Sequence, residues 1–267
     1  MGIMNWKPRH EAHAIDRVRV QFAFRDPLTS KLLQVATSEI VGAANELGFN
    51  AVEPIDSGMA TFSFVPNAAA LSMPNAKNGV AMKRYSNDQI VEEVAYRDVV
   101  FGYLTQTYGR WENLLSRLNE VVLPALRRIE DGFDLGSVKI EYWDSFIFEG
   151  EKDNADVSLL LSAVDSTIPK STLGGATSWH SHIGWFEGEM LLNRNLDVVD
   201  QPLPTGATER VLGIYTMVEQ RSSEQPLRLS EIDSTLEKLH KRSLLMFGET
   251  INEDYRKKIG LNLGDYQ

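Results

Sequence analysis

Two histidines one residue apart, in Trp179-His180-Ser181-His182, are the side chains with the most chemical promise. In an extended strand alternate residues share a face, so His180 and His182 would stand side by side. Such a pair can supply two imidazole ligands to a metal, which then needs a third ligand from elsewhere in the chain. Glu187, Glu189 and Asp197 follow within a short distance in sequence. A metal-dependent hydrolase using the His180/His182 pair is what that arrangement would do. The competing reading is a polar strand face lying opposite Trp179, Ile183 and Trp185.

Other patterns stop short of chemistry. His10-Glu11-Ala12-His13 places its histidines three apart, where the zinc-protease helix needs them four apart to share a face. Asp144, Glu149, Glu151 and Lys152 have the residue types of a nuclease centre. Glu151 directly precedes Lys152, however, and Gly150 holds the position that pattern needs, so the stretch reads as a charged hairpin tip. Gly174-Gly175 lacks the lysine and the strand–loop–helix setting of a phosphate loop. No serine sits in a nucleophile-elbow pattern. No catalytic residue and no cofactor is assigned, and the chain reads more as a binding protein than as an enzyme.

Composition narrows the class. With 267 residues, 43% of them hydrophobic and 24% charged, the chain can bury a sizeable core in one large domain or in smaller ones. It has no cysteine, which excludes disulfides, thiol nucleophiles and thiolate metal sites. A formal charge of −10 disfavours a nucleic-acid partner, because phosphate neutralisation needs a basic footprint. Arg17 with Arg19, Arg127 with Arg128, and Arg256 to Lys258 lie among acids and read as solvated faces. No run is apolar enough for a membrane span. The opening MGIMNWKPRHEA lacks a signal-peptide core, and Trp6 stands where a myristoylation motif wants Ser or Thr. A cytoplasmic protein is the expectation.

The elements that would position these residues follow from periodicity. Val18, Val20, Phe22 and Phe24 alternate with Arg17, Arg19 and Gln21, which predicts a half-buried strand. Asp26-Pro27 predicts a helix start, with Leu28, Leu32, Val35, Ile40, Ala43 and Leu47 as its apolar stripe and Gly48 as its stop. Short strands are expected near 50–54 and 60–65. From 66 to 93 the signal fades into a long connection with one strand near 80–85. A strand from 99 leads into a helix whose apolar face is Trp111, Leu114, Leu115, Leu118, Val121, Val122, Leu126 and Ile129. Pro124 predicts a kink or a break in it. Val138, Ile140 and Tyr142 then alternate with Lys139, Glu141 and Trp143 in a strand.

Residues 150–154 read as a polar turn, 157–163 as a strand and 165–178 as a loop. Residues 179–192 predict a long strand or hairpin, and 211–219 a strand. Ser230 with Asp233 predicts a capping box ahead of a helix carrying Ile232, Leu236, Leu239, Leu244, Phe247 and Ile251. The expected class is α+β, with repeated strand–helix–strand units whose amphipathic helices pack on one face of a largely antiparallel sheet. Three sections are expected, 1–95, 96–163 and 164–267, or one continuous domain.

QTYGRWENLL followed by SVKIEYWDSF resembles the central signature of a sporadically distributed bacterial protein family of unknown function. Tyr108, Arg110, Trp111 and Glu112 match its Tyr-x-x-Trp-like helix entry. Ile140, Glu141, Tyr142 and Trp143 stand where many members have arginine-tyrosine-isoleucine-asparagine, so the arginine and asparagine are missing. The opening EAHAIDRVRVQFAF and the ending LEKLHKRSLLMFGETINEDYRKKIG, with Leu239, His240 and Phe247, are similar to that family's first strand and last helix. The resemblance implies a bacterial or phage-linked origin, with a defence or mobile-element association as a hypothesis, and it implies no activity.

Taken together, the expected function is a non-enzymatic protein–protein interaction or assembly subunit. Trp143, Trp179, Trp185 and Phe186 are the candidate partner-binding residues, because alternate strand positions would turn some of them outward. A protein partner or a homo-oligomer is expected.

Overall fold

The computed structural model describes residues 6–11, 13–56, 77–97, 99–173, 177–203 and 206–266. The expected strand near 60–65 lies outside the described residues. A mostly antiparallel sheet with helices makes the fold α+β. The chain forms two compact units, one running from Gln21 to Gly136 and the other combining the residues up to Val20 with those from Ser137 onward.

In the 21–136 unit the strand order is β3 (Ala51–Asp56), β4 (Lys77–Ser86), β5 (Gln89–Arg97), β6 (Val100–Thr105) and the end of β2 (Ile15–Phe24). Val94, Tyr96, Phe101 and Tyr103 are buried with Phe22 and Phe24, as period-2 alternation requires. Helices α1 (Ser30–Glu46), α2 (Trp111–Val121) and α3 (Leu123–Arg128) pack on one another. The break between α2 and α3 falls at Val122, two residues before Pro124, which occupies the first turn of the new helix. Proline costs nothing there, because that N–H has no intrahelical acceptor.

Two expectations are corrected in this unit, and one buried acid was not foreseen. Thr29, not Asp26, caps α1, its Oγ1 accepting from Leu32 N at 3.4 Å. The stretch expected as a connection with one strand holds two, β4 and β5, joined by a two-residue turn at Asn87-Asp88. Both turn residues have positive φ, 51° and 61°, as the favoured hairpin turn demands. The unforeseen acid is Glu92, which is buried and accepts from Tyr103 Oη at 2.6 Å, Arg84 Nε at 2.5 Å and Arg117 Nη2 at 2.8 Å.

In the other unit the order is β2, β7 (Leu135–Phe148), β10 (Thr208–Arg221), β9 (Met190–Pro202) and β8 (Trp179–Glu187), with β1 (Trp6–Pro8) also on β7. Pairings β1–β7, β7–β10, β10–β9 and β9–β8 are antiparallel. One face carries Ile140, Tyr142, Phe146, Leu212, Ile214, Val218, Leu192 and Leu196, all buried. Helix α4 (Ile232–Thr250) packs on this side through Leu236, Leu239 and Met246. Phe146 stacks on Phe247 and meets Tyr255 of α5 (Glu253–Lys258) edge-on.

Two expectations fail here. The 157–163 stretch is no strand: Asp156 Oδ1 accepts from Ser158 N and Oγ, which winds Val157–Leu159 into a 3-10 turn. The Ser230–Asp233 box does not form either, because a 3-10 turn at Leu229–Glu231 precedes α4 and leaves it without a side-chain cap.

Candidate functional site

The His-x-His strand is β8, and it is the last strand in its unit's order, with β9 as its sole partner strand among the described residues. A two-residue turn joins them, with Gly188 at φ +60° in its first position. Along β8 exposed residues alternate with half-buried ones. His180, His182, Gly184 and Phe186 take the exposed face, and Trp179, Ser181, Ile183 and Trp185 the half-buried one.

Register extends the exposed face across the unit. His182 lies opposite Asn195, Asn195 opposite Tyr215, and Tyr215 opposite Trp143. One residue-pair along, His180 faces Asp197, Asp197 faces Gly213, and Gly213 faces Ser145. The sheet face away from α4 is therefore a row of polar and aromatic side chains.

The two histidines do share a face, yet each is bound separately. His180 Nδ1 meets Asp197 Oδ1 at 2.5 Å, and His182 Nε2 meets Asn193 Nδ2 at 2.8 Å. The other acids considered as ligands lie elsewhere. Glu187 accepts two hydrogen bonds from Arg242 Nη2 and Nε at 2.6 and 2.8 Å, and a third from Trp185 Nε1 at 3.0 Å. The Arg242 hydrogen bonds hold its carboxyl down at about 2. Glu189 accepts from Ser223 Oγ and Gln220 Nε2. Among the described residues no three His, Asp or Glu side chains gather as a metal would require.

The four aromatic candidates divide between the faces. Trp179 packs on the apolar cluster built around Phe146, Leu196 and Val198, and half-buried Trp185 is tied to Glu187. Phe186 turns outward and is 63% exposed, with Arg221 Cζ 5.7 Å from its ring centroid. Trp143 is half-buried in the polar row: its ring lies 5.0 Å from that of Tyr215, with the guanidinium groups of Arg17 and Arg19 at 4.4 and 5.3 Å.

That last contact corrects the reading of Arg17 and Arg19 as solvated. Arg19 grips buried Glu141 through two hydrogen bonds, Nε to Oε2 at 2.5 Å and Nη2 to Oε1 at 2.8 Å. Tyr215 Oη adds a third at 2.6 Å, and Lys139 Nζ lies 3.6 Å away. Burial alone would raise the Glu141 carboxyl, but Arg19, Lys139 and Tyr215 outweigh it and hold it below the usual range. Burial, then Glu141, pushes the Tyr215 phenol up.

On the opposite face, which α4 covers, lie further buried polar groups. Tyr142 Oη and His240 Nδ1 are 2.9 Å apart and buried. Asp144, expected at a charged hairpin tip, is instead 6% exposed between Tyr142 and Phe146. Burial, with the nearby Asp16 charge, pushes its carboxyl up to about 8. Buried Arg194 ties Asp165 and Thr167 to Thr250 at the end of α4. Alternation announces which face such residues take, but no local spacing announces their partners.

No protein-family model matches the chain, and no curated protein does.

Proposed function

We propose that the chain is a non-enzymatic interaction or assembly subunit, and that β8 is where it adds to a partner's strand. The observation that carries this reading is the edge of β8, which pairs with no strand but β9 among the described residues. Natural sheets blunt their edges with short strands, charges, prolines or bulges, because unpaired N–H and C=O groups invite another strand. β8 is nine residues long and pairs with β9 without a shift of register. No Asp, Glu, Lys or Arg occurs from Ser171 to Phe186, although the chain carries a net −10. Its one charge, Glu187, is turned to Arg242. The outermost described strand of the other unit, β3, shows the contrast: it has Glu53, Pro54, Asp56 and a register shift between Ile55 and Asp56.

Main-chain pairing on β8 would supply affinity, and alternate side chains would supply specificity, with exposed Phe186 as an anchor. The bacterial, defence- or mobile-element setting rests on the family resemblance carried by Tyr108, Trp111 and the last helix, and belongs to the same proposal.

The test is to co-express the chain with the genes that neighbour it and weigh the purified complex, for the wild type and for Phe186→Asp. A stoichiometric complex, of like or unlike chains, that Phe186→Asp dissolves is the expected result. A chain that stays single in that company, or a complex indifferent to Phe186→Asp, overturns the reading.

A further inference from the structure

The edge reading leaves the partner open, and β8's own sequence narrows it. Resting on that reading, we propose that the strand added to β8 is β8 of a second copy, antiparallel, with the two-fold axis at Ile183.

Antiparallel self-pairing keeps each sheet face continuous only if residues of like parity meet. The register centred on Ile183 satisfies this and pairs every residue of the strand. On the half-buried face Ile183 meets its own copy, Trp185 meets Ser181 of the second copy, and Trp179 meets its Glu187. On the exposed face His180 meets Phe186 and His182 meets Gly184. Large side chains thus fall opposite small ones at Trp185–Ser181 and His182–Gly184, which lets the strands close without crowding. The 63%-exposed ring of Phe186 gains an aromatic neighbour in His180.

Charge points the same way. Most of an acidic surface resists its own copy, since like charges repel across an interface. β8 escapes this: Glu187, already paired with Arg242, falls opposite an indole rather than another carboxylate. Shifting the axis by one residue is a worse fit. An axis at His182 places that imidazole on itself and sets Trp179 against Trp185, while leaving Phe186 and Glu187 unpaired. An axis at Gly184 spends the centre on two glycines and strands Trp179 and His180. The registers centred one residue either way also pair fewer residues.

The absence of native cysteine makes the test clean. Across an antiparallel pair, directly opposed Cα atoms lie about 4.5–5.5 Å apart, within the about 4.4–6.8 Å that a disulfide spans. In the full-length Ile183→Cys variant under mild oxidation, most of the chain is expected to run as a covalent dimer. Trp179→Cys, whose opposite residue is Glu187, is expected to form no covalent dimer. A non-covalent dimer in which Ile183→Cys does not cross-link overturns the register. A single-chain mass for the wild type at every concentration overturns the second copy as occupant. Binding only an unlike chain, in a complex that Phe186→Asp dissolves, overturns this inference while leaving the edge reading standing.

Discussion

Arg19 and Glu141 form a bidentate ion pair, with nitrogen–oxygen distances of 2.5 and 2.8 Å, on a carboxylate only 2% exposed. A desolvated carboxylate is stable in that position only while its donors are present, since losing one partner leaves a buried charge poorly compensated. Arg19 also lies over Trp143, so it links the acid to the polar aromatic row. Arg19→Ala is therefore expected to destabilise its unit by about 3 kcal/mol in denaturant unfolding. Glu141→Gln with Arg19→Met should cost much less than Arg19→Ala alone. Equal losses for both would contradict the pairing as the cause.

Asp144 sets a pH dependence of opposite sign to most carboxylates. Its folded carboxyl titrates at about 8, above the unfolded value of about 3.9. Between those values the folded state keeps a proton that the unfolded chain releases, so Asp144's contribution is complete at low pH and declines until pH passes 8. Asp144→Asn should match the wild type near pH 4 and become more stable relative to it as pH rises towards 9. Urea unfolding across that range reads the difference, and a stability gap independent of pH would contradict a neutral buried acid.

The hairpin turn at Asn87-Asp88 gives a smaller, local prediction. Asp88 holds φ 61°, a conformation that costs residues with a Cβ more than it costs glycine. Asp88→Gly should stabilise by about 0.5–1 kcal/mol, seen as a higher denaturant midpoint with an unchanged slope. A lower midpoint would mean that the Asp88 side chain does something in the turn beyond accepting its geometry.

How much of this was legible depends on what kind of signal a residue carries. Val18 to Phe24, the α2 face and Val138 to Tyr142 were readable, because burial on one side forces a period on the sequence. Pro124 was readable because its missing donor has one structural consequence. The β4–β5 hairpin was missed because KRYSNDQ has no apolar alternation; the Asn-Asp pair was the available cue. The shared face of His180 and His182 was legible from their spacing. Their separate partners, Asp197 and Asn193, were not, since those arrive from β9 by register. Glu141 was assigned to a face correctly, but its Arg19 and Tyr215 partners come from strands far away in sequence. The edge position of β8 depends on strand order, which no local pattern encodes.

The hydrolase alternative has its own direct check. His180 and its Asp197 partner are 57% and 42% exposed, and exposed pairs of this kind contribute little. The His180→Ala, His182→Ala double variant should therefore unfold within about 0.5 kcal/mol of the wild type. Added Zn2+ should shift the melting temperature of both proteins equally. Stoichiometric metal that the double variant loses would establish the metal reading.

The pairing of β8 with β8 of a second copy is tested most directly by the mass in solution of Ile183→Lys and Ile183→Glu, separately and mixed. Each variant places like charges on the axis and should run as a single chain by light scattering, where the wild type runs as two. Their equimolar mixture should regain the two-chain mass, as opposite charges then face one another. A wild type that is already single, or variants that stay paired when alone, would contradict self-pairing centred on Ile183.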